Sequence, residues 1–401
     1  MSRILLWSPN YAPELIGIPP LVTEAAEWLA CRGHEIDVVT AVPNYPDRRI
    51  QSEYRGAIWR SAIEKGVRVH RSWLHVRPAE RFLDKALYEL SFASLSLPRV
   101  MTRTRHADAV VCVVPSLIAA ALAATVVRRG RLVLWVQDLV AQAARALSDA
   151  PGRALGAAHR LERYAAARAD RIVVCSPGFE QYFVQQGVDA ARVQTILNWV
   201  DTSTIGVTEP APNGKPIRFL YSGNLGYTQG FETLAAAVQQ VGEGIEIEVV
   251  GAGNAREHVS ALGLRVRPPV PADEFPTLLS NADAHVVIQR GVAAGANLPS
   301  KIAPYLASGR PIVASLAETT PAARLLVESG AALVVPAESP KLLAEAMILL
   351  RDDHALRLRL GAAGRAYAVA HLDKQQALRR LEQAFVGASD RTARGRATAV
   401  R

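Results

Sequence analysis

Residues 3–40 read RILLWSPNYAPELIGIPPLVTEAAEWLACRGHEIDVVT, and their pattern indicates the fold class. Its apolar start, Arg3–Ser8, predicts a buried parallel strand, because a strand covered on both faces carries a continuous apolar run. Apolar residues recur at helical spacing over Leu21–Cys31, and Gly33 marks the end of that helix. Glu35–Thr40 then predicts a second strand. A strand, a loop, a helix and a strand in succession indicate a parallel sheet with helices packed on it.

The same alternation continues along the chain. Further strands of the first half are predicted at Val67–Arg71, Ala109–Val114, Leu132–Val136 and Arg171–Cys175. Residues 206–216 (GVTEPAPNGKP) are rich in Pro and Gly and predict a linker. The strands of a second series are predicted at Ile217–Tyr221, Glu246–Gly251, Leu264–Arg267, Ala284–Ile288, Pro311–Ala314 and Ala332–Val335. The sequence therefore predicts an α/β protein with two doubly wound halves, whose ligands bind at the carboxyl ends of the strands.

Helical patterns close the chain. They cover Pro340–Arg351, His354–Ala370 and Asp373–Phe385. We expect the basic tail after them, residues 387–401, to be flexible, because it carries little that could pack. Two doubly wound halves are expected to place their ligand in a cleft between them.

The composition excludes several classes of protein. Half of the 401 residues are apolar and 21% are charged, which excludes collagen, coiled coils and wholesale disorder. Three widely spaced cysteines, Cys31, Cys112 and Cys175, predict neither a disulfide framework nor a zinc site, and they fit a reducing cytoplasm. The net charge is +9, of which +7 falls in residues 1–200. A nucleic acid, an anionic membrane or a phosphorylated substrate would match that charge, but no zinc-finger or RNA-binding signature favours nucleic acid.

One apolar stretch, Ala109–Val127, is nearly long enough for a membrane span. Pro115 interrupts it, and a cluster of arginines follows it. A buried strand, a turn and an apolar helix explain the pattern better than a span does. Met1–Trp7 is too short for a signal peptide, so we expect a cytoplasmic protein.

The glycine-rich loop Tyr221–Gly230 (YSGNLGYTQG) follows a predicted strand and precedes the helical pattern Phe231–Gln240. Its glycines would let backbone N–H groups approach an anion at the start of the helix. A tight turn that needs positive φ angles is the alternative. Gly251 and Gly253 follow the next strand, but they lack the third glycine of the dinucleotide fingerprint and indicate a close-packed turn beside a ligand.

A second loop, residues 295–302 (GANLPSKI), precedes an apolar helix. Ser300 and Lys301 would stand at the start of that helix, where a lysine opposes the helix dipole unless an anion lies there. We therefore predict that Lys301 binds an anion at the surface of the cleft; a solvated lysine is the alternative.

Two positions stand out in the first half. The loop 10–19 follows the first strand, contains Gly17 and is expected to face the ligand. Asp138 ends the strand Leu132–Val136, where it could act as a base, bind a sugar hydroxyl or cap a helix N-terminus. The histidine spacing predicts no metal site, and no P-loop or GxSxG pattern occurs.

Taken together, the loop motifs resemble those of a known family. The motifs are NYAPE at 10–14, EWLACRGHEIDVVT at 27–40, NYP at 44–46, PSL at 115–117, QDL at 137–139, NWVD at 198–201, YSGNLG at 221–226, VVGAG at 249–253, PSK at 299–301 and LASGRPIVAS at 306–315. They are similar to the family-four glycosyltransferases of the GT-B type, most of all to the bacterial branch that assembles O-antigen, capsule and colanic acid. The similarity runs from Met1 to about Phe385.

The resemblance implies two Rossmann-like, doubly wound domains that face each other across a cleft. It divides the chain into an acceptor domain, residues 1–203 with a helix, 372–386, that crosses back to it, and a nucleotide-sugar domain, residues 204–371. It implies a hexosyl or N-acetylhexosaminyl transfer from a nucleotide sugar, with a UDP-sugar as the first candidate. The acceptor would be a hydroxyl of a lipid-linked or other glycan, and the reaction would retain configuration and need neither metal nor cofactor.

The resemblance also selects the candidate site residues. The residues expected to bind the nucleotide sugar are Gly17, Gly223, Asn224, Gly226, Gln229, Gly251, Gly253, Leu298, Ser300 and Lys301. The residues expected to take part in catalysis are Asp138, as a base, and Lys301, beside the leaving diphosphate.

Several positions depart from the family pattern. Two glutamates of the family fall at Ala296 and Pro304, and its Arg and Lys beside the diphosphate fall at Asn224 and Gln229. We expect Lys301 to supply the missing positive charge.

Two histidines of the family are absent as well: Ser116 stands near the place of one, and Gln137 takes the place of the other, before Asp138. The alternatives are a binding protein for nucleotide sugars that has lost catalysis, and a transferase for a small natural-product acceptor. The absent dinucleotide fingerprint counts against a third alternative, a dehydrogenase.

The stretch Arg77–Arg105 fits a lipid-linked acceptor. Its apolar residues are Leu83, Leu87, Leu90, Phe92, Leu95 and Leu97, and its basic residues include Arg81, Lys85, Arg99, Arg103 and Arg105. A basic amphipathic surface of this kind binds anionic headgroups. A solvated helix over the core is the alternative.

Overall fold

Parallel sheets organise both parts of the chain in the computed structural model, which describes residues 1–45, 48–77, 82–139, 152–207, 216–291 and 298–387. The chain divides into two units. The first comprises residues 1–197 and the C-terminal helix from Leu378, and the second is Asn198–Ala377. The linker segment 208–215, Arg81, Ala296 and the tail 388–401 lie outside the described residues.

The first unit is built on an eight-stranded sheet in the order β3-β4-β2-β1-β5-β6-β7-β8. Its strands are β1 (Arg3–Trp7), β2 (Glu35–Ala41), β3 (Trp59–Glu64), β4 (Val67–Ser72), β5 (Ala109–Val114), β6 (Arg131–Val136), β7 (Arg171–Val174) and β8 (Val193–Thr195). All pairs are parallel except β3 with β4. The sequence pattern missed β3 and β8. Nearly every residue of β3 is exposed, so that edge strand lacks the apolar run by which the others were found.

Helices cover this sheet. They span Ile18–Cys31, Phe82–Arg103, Leu117–Val126, Gly152–Arg168, Pro177–Gln185 and Lys374–Val386. The first helix begins three residues before the predicted start, because Pro19 and Pro20 fit its first turn. The apolar stretch Ala109–Val127 forms a buried strand and a helix, as predicted. None of the helices in the described part of the chain combines the length and apolar composition needed to cross a bilayer.

The C-terminal helix packs against the first unit. Phe385 is fully buried, and its ring meets the Trp135 ring edge-on at 5.8 Å. Glu382 accepts hydrogen bonds from Arg32 Nε at 3.0 Å and lies 2.9 Å from His34 Nε2. The unit therefore takes part of its core from the end of the chain.

The second unit holds a six-stranded parallel sheet in the order β11-β10-β9-β12-β13-β14. Its strands are β9 (Ile217–Asn224), β10 (Ile245–Ala252), β11 (Val266–Arg267), β12 (Ala284–Ile288), β13 (Ile312–Leu316) and β14 (Ala332–Pro336). Its helices are Phe231–Val238, Arg256–Ala261, Phe275–Ser280, Ile302–Ala307, Pro321–Ser329, Pro340–Asp352 and His354–His371. Buried Phe219, Tyr221 and Phe231 belong to its core.

The strand orders locate the sites. In the first sheet β1 lies between β2 and β5, and in the second β9 lies between β10 and β12. The chain therefore reverses its direction of winding beside β1 and beside β9. Ligands of doubly wound sheets bind beyond the carboxyl ends of the strands at such points.

Candidate functional site

Two glycine turns pack against each other at the carboxyl ends of β9 and β10. Gly251 pairs with Gly223, and a Cβ atom on Gly251 would lie 1.9 Å from the Gly223 carbonyl oxygen. A Cβ atom on Gly253 would lie 2.4 Å from the Leu225 carbonyl oxygen. The Leu225 N–H donates to the Ala252 carbonyl at 2.8 Å. Gly251 and Gly253 therefore form the close-packed turn that the sequence indicates, and this turn supports the loop after β9.

Asn224 and Gln229 of that loop are tied to Tyr221 at the end of β9. The Tyr221 hydroxyl donates to the Asn224 carbonyl at 2.8 Å and lies 3.2 Å from Gln229 Oε1. A Cβ atom on Gly226 would lie 3.1 Å from Asn224 Nδ2. The contacts between Tyr221, Asn224 and Gln229 fix the shape of the loop.

Lys301 lies against this loop. Its Nζ stands 3.5 Å from the centroid of the Tyr221 ring, and a Cβ atom on Gly223 would lie 3.4 Å from the same nitrogen. The Nζ is buried and has no hydrogen-bond partner among the described residues. Burial holds the pKa of the Lys301 ammonium well below its usual value. The residue as a whole is half-buried, so its ammonium is withdrawn from solvent, and the alternative of a solvated lysine is wrong.

Tyr305 positions the short helix that begins after Lys301. The Ser222 N–H donates to the Tyr305 hydroxyl at 2.6 Å, and the His285 ring stacks on the Tyr305 ring at 4.1 Å. His285 Nε2 lies 2.8 Å from Ser308 Oγ, and burial lowers the His285 pKa to about 3. This buried polar cluster holds the helix on β9 and so fixes the place of Lys301.

A second cation, Arg290, stands at the carboxyl end of β12, and we missed it in the sequence. Its N–H donates to the Thr228 carbonyl at 3.0 Å, and a Cβ atom on Gly230 would lie 3.1 Å from its Cγ. Its guanidinium donates to Glu232 at 2.6 Å. A second cation therefore stands beside the loop, with its charge paired to Glu232. The signal was available, because Arg290 comes two residues after a predicted strand.

The other candidate site residues of the loop 295–302 are less buried than the Lys301 ammonium. Leu298, three positions before Lys301, is half-buried, and Ser300, directly before it, is exposed. Pro304 lies inside the helix Ile302–Ala307, at a position where the resemblance implies a glutamate.

In the first unit, Glu14 organises the loops after β1 and β2. Its carboxylate accepts hydrogen bonds from the Asn44 and Tyr45 N–H groups, both at 2.8 Å, and from Asn10 Nδ2 at 2.9 Å. Gly17 has a φ of 84° and caps the helix Ile18–Cys31. The carboxylate of Glu14 is thus engaged in holding the loop that carries Gly17.

Asp138 follows β6 at the carboxyl edge of the same sheet. Burial raises the pKa of its carboxyl to about 6. The alternative that Asp138 caps a helix concerns residues 140–151, which lie outside the described residues. With this raised pKa, the Asp138 carboxyl is suited to exchange a proton near neutral pH.

Glu89 is a third carboxylate at this edge, and sequence reasoning missed it. It comes from the helix Phe82–Arg103, and its Oε2 accepts the Ser116 hydroxyl at 2.6 Å. The Ile118 N–H also donates to this carboxylate, while burial raises its pKa to about 7. In the sequence Glu89 resembles an ordinary solvated charge on a helix, and only the fold brings it to Ser116 after β5.

The chain matches two known families of domains. Residues 17–199 match the family described as "Glycosyl transferase 4-like domain" and residues 216–353 the family described as "Glycosyl transferases group 1". The chain is 31% identical to WcaI of Escherichia coli K12, a glycosyl transferase named for colanic acid biosynthesis, over 94% of this chain and 98% of that protein.

Solved structures share the fold. Alr3699/HepE of Anabaena, in complex with UDP and glucose, superposes with a TM-score of 0.70 at 16% identity, covering 97% of this chain and 100% of that one. WaaG, a glycosyltransferase involved in lipopolysaccharide biosynthesis, superposes with a TM-score of 0.69 at 15% identity, covering 96% of this chain and 100% of that one. Sucrose-phosphate synthase from Thermosynechococcus elongatus superposes with a TM-score of 0.69 at 18% identity, covering 96% of this chain and 98% of that one. With two glycosyltransferase domain matches and a relative of this identity along almost its whole length, the chain belongs to the family-four glycosyltransferases of the GT-B type.

Proposed function

We propose that this glycosyltransferase moves a sugar from a nucleoside diphosphate, UDP in the first place, to a hydroxyl of a lipid-linked glycan during the assembly of a cell-surface polysaccharide. The relatives support this substrate class. One is named for colanic acid biosynthesis, one for lipopolysaccharide biosynthesis, and a third was solved with UDP and glucose.

The observation that carries the proposal is the buried Lys301 ammonium beside Gly223. Its Nζ has no hydrogen-bond partner among the described residues, and a buried charge without a partner is unfavourable. A diphosphate at the carboxyl end of β9 would supply the missing negative charge, and the pKa of Lys301 would then rise again.

The leaving diphosphate gains negative charge as the glycosyl bond breaks, and the anomeric carbon gains positive charge. Lys301 would stabilise the diphosphate most strongly in the transition state, because a charge-assisted bond strengthens as the charge grows. Arg290 contacts the same loop at Thr228 and Gly230, and Glu232 pairs with its guanidinium. We propose that these protein groups act in place of a metal ion.

The acceptor hydroxyl needs a hydrogen-bond acceptor that can take its proton. Asp138 and Glu89 both lie at the carboxyl edge of the first sheet and both have carboxyl pKa values raised toward neutrality. Either could accept the proton at pH 7 to 8. In a reaction that retains configuration, an oxygen of the leaving phosphate would share this role.

A binding protein without catalysis is the second candidate. It is favoured by Pro304, which cannot replace the contacts of a glutamate, and by the amide Gln229, whose Oε1 faces the Tyr221 hydroxyl.

Turnover separates the two functions. Purified protein is incubated with a panel of nucleotide sugars and a lipid extract, and release of the nucleoside diphosphate is measured with and without EDTA. We expect release from one UDP-sugar, dependent on the extract and unaffected by EDTA. Tight binding without release would favour the binding protein, and loss of turnover that magnesium or manganese restores would contradict the proposed metal independence.

A further inference from the structure

The carboxylate of Glu232 has two partners beside the glycine-rich loop. Its Oε1 atom accepts a hydrogen bond from the Arg290 guanidinium at 2.6 Å and lies 2.8 Å from His258 Nε2. Glu232 also stands in the first turn of the helix Phe231–Val238, where the helix dipole stabilises a negative charge. An anion that belongs to the protein is therefore held at the end of the loop.

Arg290 keeps one donor that Glu232 does not use. The Arg290 N–H donates to the Thr228 carbonyl at 3.0 Å, and a Cβ atom on Gly230 would lie 3.1 Å from the Arg290 Cγ, so the side chain is fixed against the loop. Its Nε atom is buried and has no hydrogen-bond partner in the part of the chain that the structure describes. A buried guanidinium donor without an acceptor is unfavourable. Glu232 thus satisfies only part of the guanidinium.

Lys301, at the start of the same loop, shares this feature. Its buried Nζ lies beside Gly223 and likewise has no partner among the described residues, while Arg290 packs at the end of the loop. Tyr221 links the two ends, since its ring lies 3.5 Å from the Lys301 Nζ and its hydroxyl lies 3.2 Å from Gln229 Oε1. Two unsatisfied cationic donors around one loop indicate a ligand with more than one anionic group, such as a diphosphate.

The ion pair between Glu232 and Arg290 is open to solvent. The side chains of Arg290 and Glu232 are 36% and 41% exposed. A pair this exposed contributes little stability, because water screens its charges. If the guanidinium moves away, Glu232 still has His258 and the start of its helix. The pair can therefore separate without leaving a buried carboxylate that has no partner.

We propose that Glu232 is a counter-ion that the diphosphate of the donor displaces from Arg290. A phosphate oxygen then accepts from the guanidinium, its Nε–H included, while Glu232 stays with His258. After transfer, the return of Arg290 to Glu232 favours release of the nucleoside diphosphate. This inference rests on the proposed function, because it places the diphosphate of a nucleotide sugar at this loop.

A positioning role for Glu232 would use the same contacts but have the opposite effect on affinity. Removal of a displaced counter-ion strengthens the binding of an anion, whereas removal of a residue that positions Arg290 weakens it. The contacts with Thr228 and Gly230 already fix the place of Arg290. The displaced counter-ion is therefore the role that the geometry favours.

Calorimetric titration tests the exchange without a sugar acceptor. Wild type, Glu232→Gln, Arg290→Met and the double variant are titrated with UDP and with inorganic pyrophosphate, and thermal melts verify folding. We expect Glu232→Gln to bind both probes about tenfold more tightly than wild type, and Arg290→Met to bind them about tenfold more weakly. In the Arg290→Met background, Glu232→Gln should change the affinity by less than about threefold, because no ion pair remains to be broken.

Glu248→Gln is the matched control. Glu248 pairs with Arg267 between β10 and β11 of the same unit, so the substitution removes another arginine-paired carboxylate and the same charge. It should leave both affinities within about twofold of wild type, because solvent and salt screen a charge that does not touch the loop. If Glu232→Gln melts at a lower temperature than wild type, Glu232→Ala takes its place, since alanine preserves the helix.

Weaker binding by Glu232→Gln would overturn the inference and make Glu232 a positioning residue. Equal gains in affinity with and without Arg290 would also overturn it, because the carboxylate would then act only through its field. So would a wild-type protein that binds neither UDP nor pyrophosphate. If the expected affinities are found but no UDP-sugar releases its nucleoside diphosphate in the presence of the lipid extract, the result counts against the proposed transfer and leaves the exchange standing.

Discussion

The Lys301 ammonium lies over the face of the Tyr221 ring, with 3.5 Å between Nζ and the ring centroid. A cation above an aromatic face is stabilised by roughly 1–2 kcal/mol when water is excluded, which is less than the hydration that burial removes. The ring therefore keeps the charge in position without satisfying it. Because Tyr221 also fixes the Asn224 carbonyl, one side chain arranges both the cation and the loop beside it.

Binding of a nucleoside diphosphate should be accompanied by proton uptake. Burial holds the pKa of Lys301 below its usual value, and an anion beside it would raise that pKa, so binding takes up a proton wherever the free lysine is partly neutral. Calorimetric titration with UDP in two buffers of different ionisation enthalpy, repeated from pH 7 to pH 9, measures the uptake. We expect proton uptake in wild type and none in Lys301→Met; identical uptake in both would assign it to another group.

Glu89→Gln should remove an acidic limb from the pH profile of transfer. The carboxyl pKa of Glu89 is raised to about 7, so a carboxylate that accepts the acceptor's proton is lost as the pH falls below that value. Tyr88 and Cys112 face this charge, and the Glu14 carboxylate lies near Tyr88. The introduced amide would still accept the Ser116 hydroxyl and keep the packing. We expect kcat/KM to fall about 10²-fold at pH 8, with the limb near pH 7 abolished.

Glu89→Gln should also increase stability at high pH. Because the folded-state pKa is raised above the unfolded value of about 4.5, the folded protein binds the proton more tightly, and stability is lost as pH rises from about 4.5 to 7. The amide has no proton to lose. Thermal melts at pH 5 and pH 8 should therefore differ less in the variant. A wild-type limb that persists in Glu89→Gln would leave Asp138 as the proton acceptor, which Asp138→Asn then tests.

Gly251→Ala should destabilise the second unit. The new methyl group would overlap the Gly223 carbonyl oxygen, 1.9 Å away, and could be accommodated only if the strand pair moved. We expect a loss of roughly 2–4 kcal/mol in the free energy of unfolding. Gly156→Ala is the matched control, since a Cβ atom there would meet nothing within 4 Å beyond its own helix, and alanine should stabilise the helix Gly152–Arg168 by about 0.5–1 kcal/mol. Equal melting temperatures for the two variants would refute the packing described for the glycine turns.

Phe385→Ala should destabilise the first unit, although it lies near the end of the chain. It leaves a cavity against Trp135 and should cost about 3–5 kcal/mol. Gln383→Ala, at an exposed position of the same helix, should cost less than about 0.5 kcal/mol. Tryptophan fluorescence mainly follows the unfolding of the first unit, which holds five of the six tryptophans. An unchanged transition in Phe385→Ala would contradict the docking of the helix.

The buried parallel strands could be predicted from the sequence because each is a short apolar run between turns. The edge strand Trp59–Glu64 could not, since its pairing with β4 is antiparallel and its side chains face solvent. The glycines of the two turns and Lys301 could be identified from local sequence. The glycines cluster directly after predicted strands, and a lysine is unfavourable at the start of a helix.

Other features of the candidate site depend on distant contacts. Glu89 reaches Ser116 across 27 positions in sequence, and Tyr305 reaches Ser222 across 83. The burial of Lys301 also depends on a distant contact, because the Tyr221 ring that it meets lies on β9, far from Lys301 in the sequence. No local pattern encodes these pairings, whereas Arg290 was missed although its place after a strand was visible.

The most direct test of the account is the turnover of Lys301 variants. Release of the nucleoside diphosphate is measured for wild type, Lys301→Met and Lys301→Arg with the UDP-sugar that supports transfer, and thermal melts verify folding. Methionine keeps the apolar stem over Tyr221 without the charge, so the melting temperature should not fall. We predict that kcat/KM falls on the order of 10²-fold in Lys301→Met and recovers in part in Lys301→Arg. A folded Lys301→Met protein that turns over as fast as wild type would contradict the claim that this ammonium stabilises the leaving diphosphate.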